Sequence, residues 1–302
     1  MESEFSIHAP MVFVVACWGL VFVGIAEVLP YLDSLQLVTI RFIMISGVFG
    51  AIFLVIPRLR PRFRSRRDMA LFAVAGLFGV PGSQLPTVHG QNYLSPPLVA
   101  LIVTSAPAWV AALSAVMLKD RVNKIQVVGF VIAVTGTSVI VLAGAGSSRL
   151  SVDNPWGAAV TLLNPVCWAT YTLIARRFTR DYAIVTAVGT SMIAGSIWLI
   201  PLLPHSLGAM GGIPPSAWGW LTFLTLGGTV VPYMIWSRSL SLLTATTTTA
   251  YMYAIPLAAL LWSWLILGLH PTFLAMMGGV VVITGVSVIQ VGQRRAPLSV
   301  PN

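Results

Sequence analysis

Ten apolar runs of about twenty residues each follow one another along the chain, at about 10–30, 35–56, 69–90, 95–118, 125–143, 156–177, 184–204, 217–238, 245–268 and 273–291. A nearly uncharged run of that length is what an α-helix needs to cross the hydrocarbon of a bilayer, and lipid admits only helices and closed barrels. Ten spans consume most of the 302 residues, so the loops are short and leave no room for a separate soluble domain. Composition agrees: 57% of the residues are hydrophobic and 8% are charged, against roughly 25% charged in soluble domains. The expected fold class is therefore an all-α membrane protein with ten transmembrane helices. A large soluble catalytic or nucleotide-binding module is excluded.

The net charge of +9 raises nucleic acid as a partner. Placing each charge removes it. Arg58, Arg60, Arg62, Arg64, Arg66 and Arg67 share one loop, and Lys119, Arg121 and Lys124 the next loop on the same side. Arg176, Arg177 and Arg180, then Arg238, then Arg294 and Arg295 follow on that side, which makes fifteen of the seventeen basic residues. Only Arg149 falls in an opposite loop, and Arg41 lies within a span. Cytoplasmic loops collect Lys and Arg, so the expectation is a multi-pass protein of the cell inner (plasma) membrane with both termini cytoplasmic. The N-terminus carries Glu2 and Glu4 and no base before a long apolar run, the pattern of a retained first span and not of a cleaved signal. Cys17 and Cys167 sit inside apolar runs and read as small core residues.

The chain also matches itself. At an offset of 149, Gly79 falls on Gly228, Pro107 on Pro256, Leu118 on Leu267, Gly129 on Gly278 and Gly136 on Gly285, with Ser138-Val139-Ile140 on Ser287-Val288-Ile289. At 150, Cys17-Trp18 meets Cys167-Trp168. The offset corresponds to five spans, and because five is odd the second half enters the membrane inverted. Two inverted five-helix repeats are expected, residues 1–144 and 145–302. Inverted repeats are characteristic of secondary transporters, with the substrate site between the halves, although duplicated packing without transport would leave the same trace.

Ala16-Cys17-Trp18-Gly19, Thr39-Ile40-Arg41-Phe42 and the block from Pro107 through Leu118-Lys119-Asp120-Arg121 to Gln126, Gly129 and Gly136 resemble the drug/metabolite transporter superfamily, in its ten-spanning form with two EamA-type repeats. The resemblance covers nearly the whole chain. Asp120 stands where that family usually has Glu, and Leu267-Gly268-Leu269-His270 keeps Leu-Gly without the acid-base pair. What the resemblance implies is an inner-membrane exporter of small metabolites, commonly amino acids or related compounds, working by alternating access without ATP.

Ionisable residues inside spans are costly and point to function. Here they are Glu27, Arg41 and His89, with Arg238 at the edge. Glu27 and Arg41 lie near the same end of spans one and two, so either they form an ion pair or Arg41 attracts a substrate carboxylate. His89, close to Gln84 and Tyr93, reads as a substrate contact or an interface residue, with proton exchange as a third role. Pro81 in span three, with Gly82 and Pro86, and Pro232 in span eight, with Gly227 and Gly228, break helices at equivalent repeat positions and point to the pathway. Trp18 and Trp168 sit mid-span, away from the interfaces where Trp concentrates, with Tyr171 one turn along; they suit an aromatic or amphipathic solute, or core packing. Span nine offers Thr246 to Thr249, a run read as mostly structural, then Tyr251, Tyr253 and Pro256, and span four offers Pro107 and Trp109. The candidate substrate contacts are thus Trp18, Gln84, His89, Tyr93, Trp109, Trp168, Tyr171, Tyr233 and Tyr251. The structural or gating candidates are Glu27, Arg41, Pro81, Pro107, Pro232 and Pro256.

The sequence has no Gly-x-Ser-x-Gly, His-Glu-x-x-His or Walker A motif, and its four His residues are scattered. No enzymatic activity, cofactor or metal is expected. The expected partners are a small-molecule substrate and the lipid bilayer, not nucleic acid, with a monomer as the default. The function expected is transport of a small metabolite, neutral or aromatic amino acids foremost, by alternating access through a mostly uncharged central cavity. Export of another metabolite or drug-like compound is the nearest alternative; a lipid-handling membrane protein or an intramembrane enzyme is the alternative from another class.

Overall fold

The computed structural model describes residues 4–94, 96–117, 123–144, 155–267 and 273–294, and no strand occurs among them. The Lys119-Asp120-Arg121 block, Arg149 and Gly268 to His270 lie outside the described residues. The described parts of the ten apolar runs are largely helical, many of them in two pieces.

Helices α1 (Glu4–Val28) and α2 (Ser34–Val55) are joined by a short turn. That turn ends in a capping box: Asp33 Oδ1 accepts the amides of Leu35 and Gln36, both at 2.9 Å, and Gln36 Oε1 accepts the amide of Asp33 at 3.0 Å. α2 stops short of Pro57, as the residue before a proline avoids the helical region. α3 (Arg66–Gly79) and α4 (Pro81–Gly90) form one span broken at Val80, because Pro81 has no amide to continue the ladder. α5 (Pro96–Val103) gives way to α6 (Ala106–Met117) at Pro107, whereas α7 (Lys124–Gly144) is unbroken. α8 (Pro155–Thr161) passes into α9 (Leu163–Asp181) just before Pro165.

α10 (Ile184–Ile197) meets a segment containing α11 (Leu203–Ala209) at a bend of 52°. The seventh run therefore does not continue straight to residue 204, since Pro201 cannot donate back into the helix. α12 (Pro215–Thr225) runs through a π-helical turn, Leu226–Val230, into α13 (Val231–Leu242), with Pro232 at the second position of α13. α14 (Ala245–Ala250) joins α15 (Ile255–Leu267) through a 3₁₀ turn ahead of Pro256, and α16 (Phe273–Arg294) closes the order.

Five helical stretches among the described residues are long and apolar enough to cross a membrane: His8–Val28, Ser34–Val55, Arg66–Gly90, Trp156–Asp181 and Thr247–Ile266. The bent pair Ile184–Ile197 and Ile200–Gly212 makes a sixth if it counts as one span. Leu54, Val55 and Phe273 are 73%, 80% and 75% exposed, an apolar exterior that lipid tolerates and water does not.

α1 packs on α15, α6 on α9, α2 on α10 and α7 along α16. The α7–α16 crossing is backbone on backbone. A side chain at Gly136 would lie 2.8 Å from the Gly278 carbonyl, and one at Gly129 would lie 2.9 Å from that of Gly285. Gly129 thus faces Gly285 and Gly136 faces Gly278, so the two helices run antiparallel. The four glycines matched by the internal offset exchange partners when the halves are swapped.

Candidate functional site

A cavity of about 560 Å³, counted out to its mouth, opens among α1, α2, α4, α5, α9, the π turn, α13 and the α14–α15 junction. Its polar wall is made by Arg41, Gln84, Thr87 and Asn164, and most of the rest is apolar or aromatic, with Trp18, Phe22, Trp168 and Tyr233 prominent.

Arg41 is 2% exposed. Its Nε–H donates to the Leu224 carbonyl at 3.1 Å, Nη2 to Thr229 Oγ1 at 2.6 Å and Nη1 to Gln84 Oε1 at 3.4 Å. The π turn makes this possible. Widening the helix by one residue over Leu226–Val230 turns Thr229 back toward the Leu224 carbonyl, to which its hydroxyl donates at 3.0 Å, and presents both groups to the guanidinium. Gly228 at the same turn holds the approach open: a side chain there would meet Val21 at 2.7 Å and Arg41 Nη2 at 3.5 Å. A guanidinium has five N–H donors, so these bonds leave one spare on each terminal nitrogen. All three partners are neutral.

The ion pair expected between Glu27 and Arg41 is not formed. Glu27 is exposed to the surroundings while Arg41 points inward to α12, the π turn and α4. No carboxylate among the described residues bonds Arg41.

Trp18, Trp168 and Tyr233 stand nearly perpendicular to one another, with ring centroids 5.5, 6.1 and 5.4 Å apart and interplanar angles of 88°, 75° and 88°. Tyr171 and Trp236 support them from behind; Tyr171 lies 5.5 Å from Trp168 and Trp236 5.0 Å from Trp18. Gly79 lets Tyr171 in, since a side chain there would come within 2.6 Å of its ring.

Of the candidates named from the sequence, the cavity gathers Trp18, Arg41, Gln84, Trp168 and Tyr233, with Tyr171 in the layer behind. The others lie elsewhere. His89 packs edge-on against Tyr93 at 5.2 Å, outside the lining, and Tyr93 is 40% exposed. Trp109 is 42% exposed, on the outside of the bundle. Tyr251 is buried with its hydroxyl bonded to His8 Nδ1, while its neighbour Met252 reaches the cavity. Pro81, Pro107, Pro232 and Pro256 stand at helix breaks. Thr248 and Thr249 bond back to the carbonyls of Thr244 and Ala245 in their own helix. Cys17 and Cys167 are free thiols.

Sequence reasoning missed Thr87, Asn164, Thr229 and the Leu224 carbonyl. An amide in an otherwise apolar run, followed by a proline at 164–165, was the available signal for Asn164. The Gly227-Gly228 pair was the signal for the turn that carries Thr229.

Comparison with known proteins fits this architecture. The EamA-like transporter family model matches twice, over residues 8–142 and 155–291. An uncharacterized transporter of Archaeoglobus fulgidus is 28% identical over 275 residues, covering 91% of this chain and 95% of the relative. A probable terminal-alkyne amino-acid exporter of Streptantibioticus cattleyicolor is 28% identical and covers 78% of each chain. An uncharacterized inner membrane transporter of Escherichia coli is 27% identical over 92% of this chain and 89% of its own. One solved crystal structure shares the fold with a TM-score of 0.77 at 18% identity, covering 97% of this chain and 99% of that one. With the family model accounting for nearly its full length in two copies, the chain belongs to the EamA-like transporter family.

Proposed function

We propose that this transporter exports small metabolites, neutral or aromatic amino acids foremost, by alternating access through the cavity around Arg41. Arg41 carries the reading: a guanidinium 2% exposed in an aromatic-walled cavity, held by three neutral partners. A buried charge without a counter-charge is unfavourable, and an anion entering the cavity relieves it. The spare donor on each terminal nitrogen suits a carboxylate. The rings of Trp18, Trp168 and Tyr233 suit the apolar remainder of the solute. The relative named as an amino-acid exporter supports that substrate class.

The membrane arrangement we propose is ten spans in two inverted five-helix repeats, residues 1–144 and 145–302, with both termini cytoplasmic in the inner membrane. Two observations support the repeat. The family model matches once in each half, and the repeat-matched glycines of α7 and α16 exchange across an antiparallel crossing. An axis that swaps two antiparallel helices runs across them, which for spanning helices is the membrane plane. The fifteen basic residues on one side support the orientation.

The test is counterflow with the purified full chain in liposomes preloaded with neutral, aromatic, acidic and basic amino acids. Neutral and aromatic amino acids are expected to accelerate uptake of their labelled counterparts. Folded protein that exchanges none of them overturns the reading.

A further inference from the structure

Asn164 borders the cavity and is 4% exposed. Its Nδ2 donates to the Ser83 carbonyl at 2.8 Å and to Thr87 Oγ1 at 2.6 Å. Those bonds fix the amide, since the opposite orientation would set Oδ1 against the Ser83 carbonyl. Oδ1 is thereby held as an acceptor, and it is buried with no donor. A buried acceptor left in that state is unfavourable, and the space that Asn164 borders is the cavity.

α4 ties this acceptor to Arg41. Gln84, three residues before Thr87, accepts from Arg41 Nη1, while Thr87 accepts from Asn164. Residues three apart on a helix share a face, with β-carbons about 5–6 Å apart. One face of α4 thus touches the Arg41 guanidinium at Gln84 and the Asn164 amide at Thr87. In an α-amino acid the carboxylate and the ammonium branch from one carbon. Both ends can therefore be taken by partners that share one helix face.

We propose that Asn164 Oδ1 receives the α-ammonium of the substrate while Arg41 holds its carboxylate. This rests on the amino-acid reading above and narrows it to α-amino acids carrying N–H donors. The cavity recognises the main-chain end of the solute and leaves the side chain to the aromatic rings. A neutral amide selects an ammonium by direction and donor count, so a des-amino acid leaves Oδ1 unpaired and a trimethylated amine cannot donate to it.

The experiment measures competition by L-phenylalanine and L-leucine, and by 3-phenylpropanoate and 4-methylpentanoate, on the full chain in liposomes. The wild type is expected to prefer each amino acid over its des-amino partner by about ten- to a hundredfold, the range of one hydrogen bond to a charged group. In Asn164→Leu that preference falls to within about threefold, through loss of amino-acid affinity alone. Thr87→Val frees the Asn164 amide without touching Oδ1 and reduces the preference partway; it decides the matter if Asn164→Leu does not fold. A preference unchanged in both variants, or both ligands weakened alike, overturns the assignment, because a merely structural Asn164 would act on both. Wild-type protein that takes up the amino acids without preferring them over the des-amino acids also overturns it and leaves the amino-acid reading standing. Uptake of neither class overturns both.

Discussion

Replacing Arg41 by Met keeps a long side chain in the cavity wall and removes both the charge and the donors. The fold loses little beyond these contacts, because Thr229 still donates to the Leu224 carbonyl at 3.0 Å, which leaves Gln84 Oε1 and Thr229 Oγ1 as the acceptors whose Arg41 donor is not replaced. A carboxylate loses more. The two spare donors would make charge-assisted hydrogen bonds worth about 1.5–3 kcal/mol each. One of them at the lower end is about tenfold in affinity, and both together a hundredfold or more. The assay is equilibrium binding of L-phenylalanine and L-leucine, with phenethylamine and isopentylamine as partners lacking the carboxylate. Wild-type protein should bind each amino acid about a hundredfold more tightly than its amine. Arg41→Met should bring the two within about threefold by weakening the amino acid alone, and Arg41→Lys, which keeps charge but not the planar donor pair, should fall between. Thermal unfolding in detergent controls for the fold. If Arg41→Met leaves amino-acid binding unchanged, or weakens acid and amine equally, the guanidinium does not receive the carboxylate.

At the α7–α16 crossing, Gly285→Ala places a methyl 2.5 Å from the Ala133 amide, which should destabilise by about 1–3 kcal/mol; Gly219→Ala, in open space, should be near neutral, both read by thermal unfolding. Pro232→Ala restores the amide that the π turn avoids, and transport should fall about tenfold with thermal stability unchanged or raised, because the regular helix no longer presents Leu224 and Thr229 to Arg41. Outside the spans, burial raises the Asp33 carboxyl, but the Gln36 amide and His205, whose Nε2 lies 2.7 Å from Asp33 Oδ2, outweigh it and hold the pKa below the ordinary 3.8. A depressed carboxylate stabilises the fold above its unfolded pKa and loses that contribution as pH falls through the folded value, so Asp33→Asn should flatten the acid limb of the stability curve below about pH 4. A single cysteine at position 62, in a protein lacking Cys17 and Cys167, should react with an impermeant maleimide only from the cytoplasmic side; reaction from outside refutes the orientation.

The scaffold was readable in the sequence because its causes act one residue at a time. Pro81, Pro107, Pro232 and Pro256 each stand at a helix break, since a missing amide acts wherever it occurs. The site was only half readable. Spans that are apolar all round give no periodicity to say which face turns inward, so Trp18 and Trp168, which line the cavity, look like Trp109, which does not. A single amide such as Asn164 disappears into the average hydropathy of its run.

The repeat proposed above accounts for the remaining difference. Duplication finds what both halves need, which is close packing: Gly79 admits Tyr171, and its counterpart Gly228 admits Val21, at 2.6 and 2.7 Å from where a side chain would start. A solute with two unlike ends needs unlike partners, and a pair of identical half-sites facing each other would offer it the same group twice. Recognition must therefore fall on residues that break the repeat. Arg41 corresponds at the offset of 149 to Thr190, and Asn164, in the Cys-Trp register of 150, to Val14; at both positions the halves diverge, in charge at the first and in hydrogen bonding at the second. The residues that the internal match leaves unpaired, not those it highlights, are thus the ones expected to change when relatives on this scaffold carry different solutes.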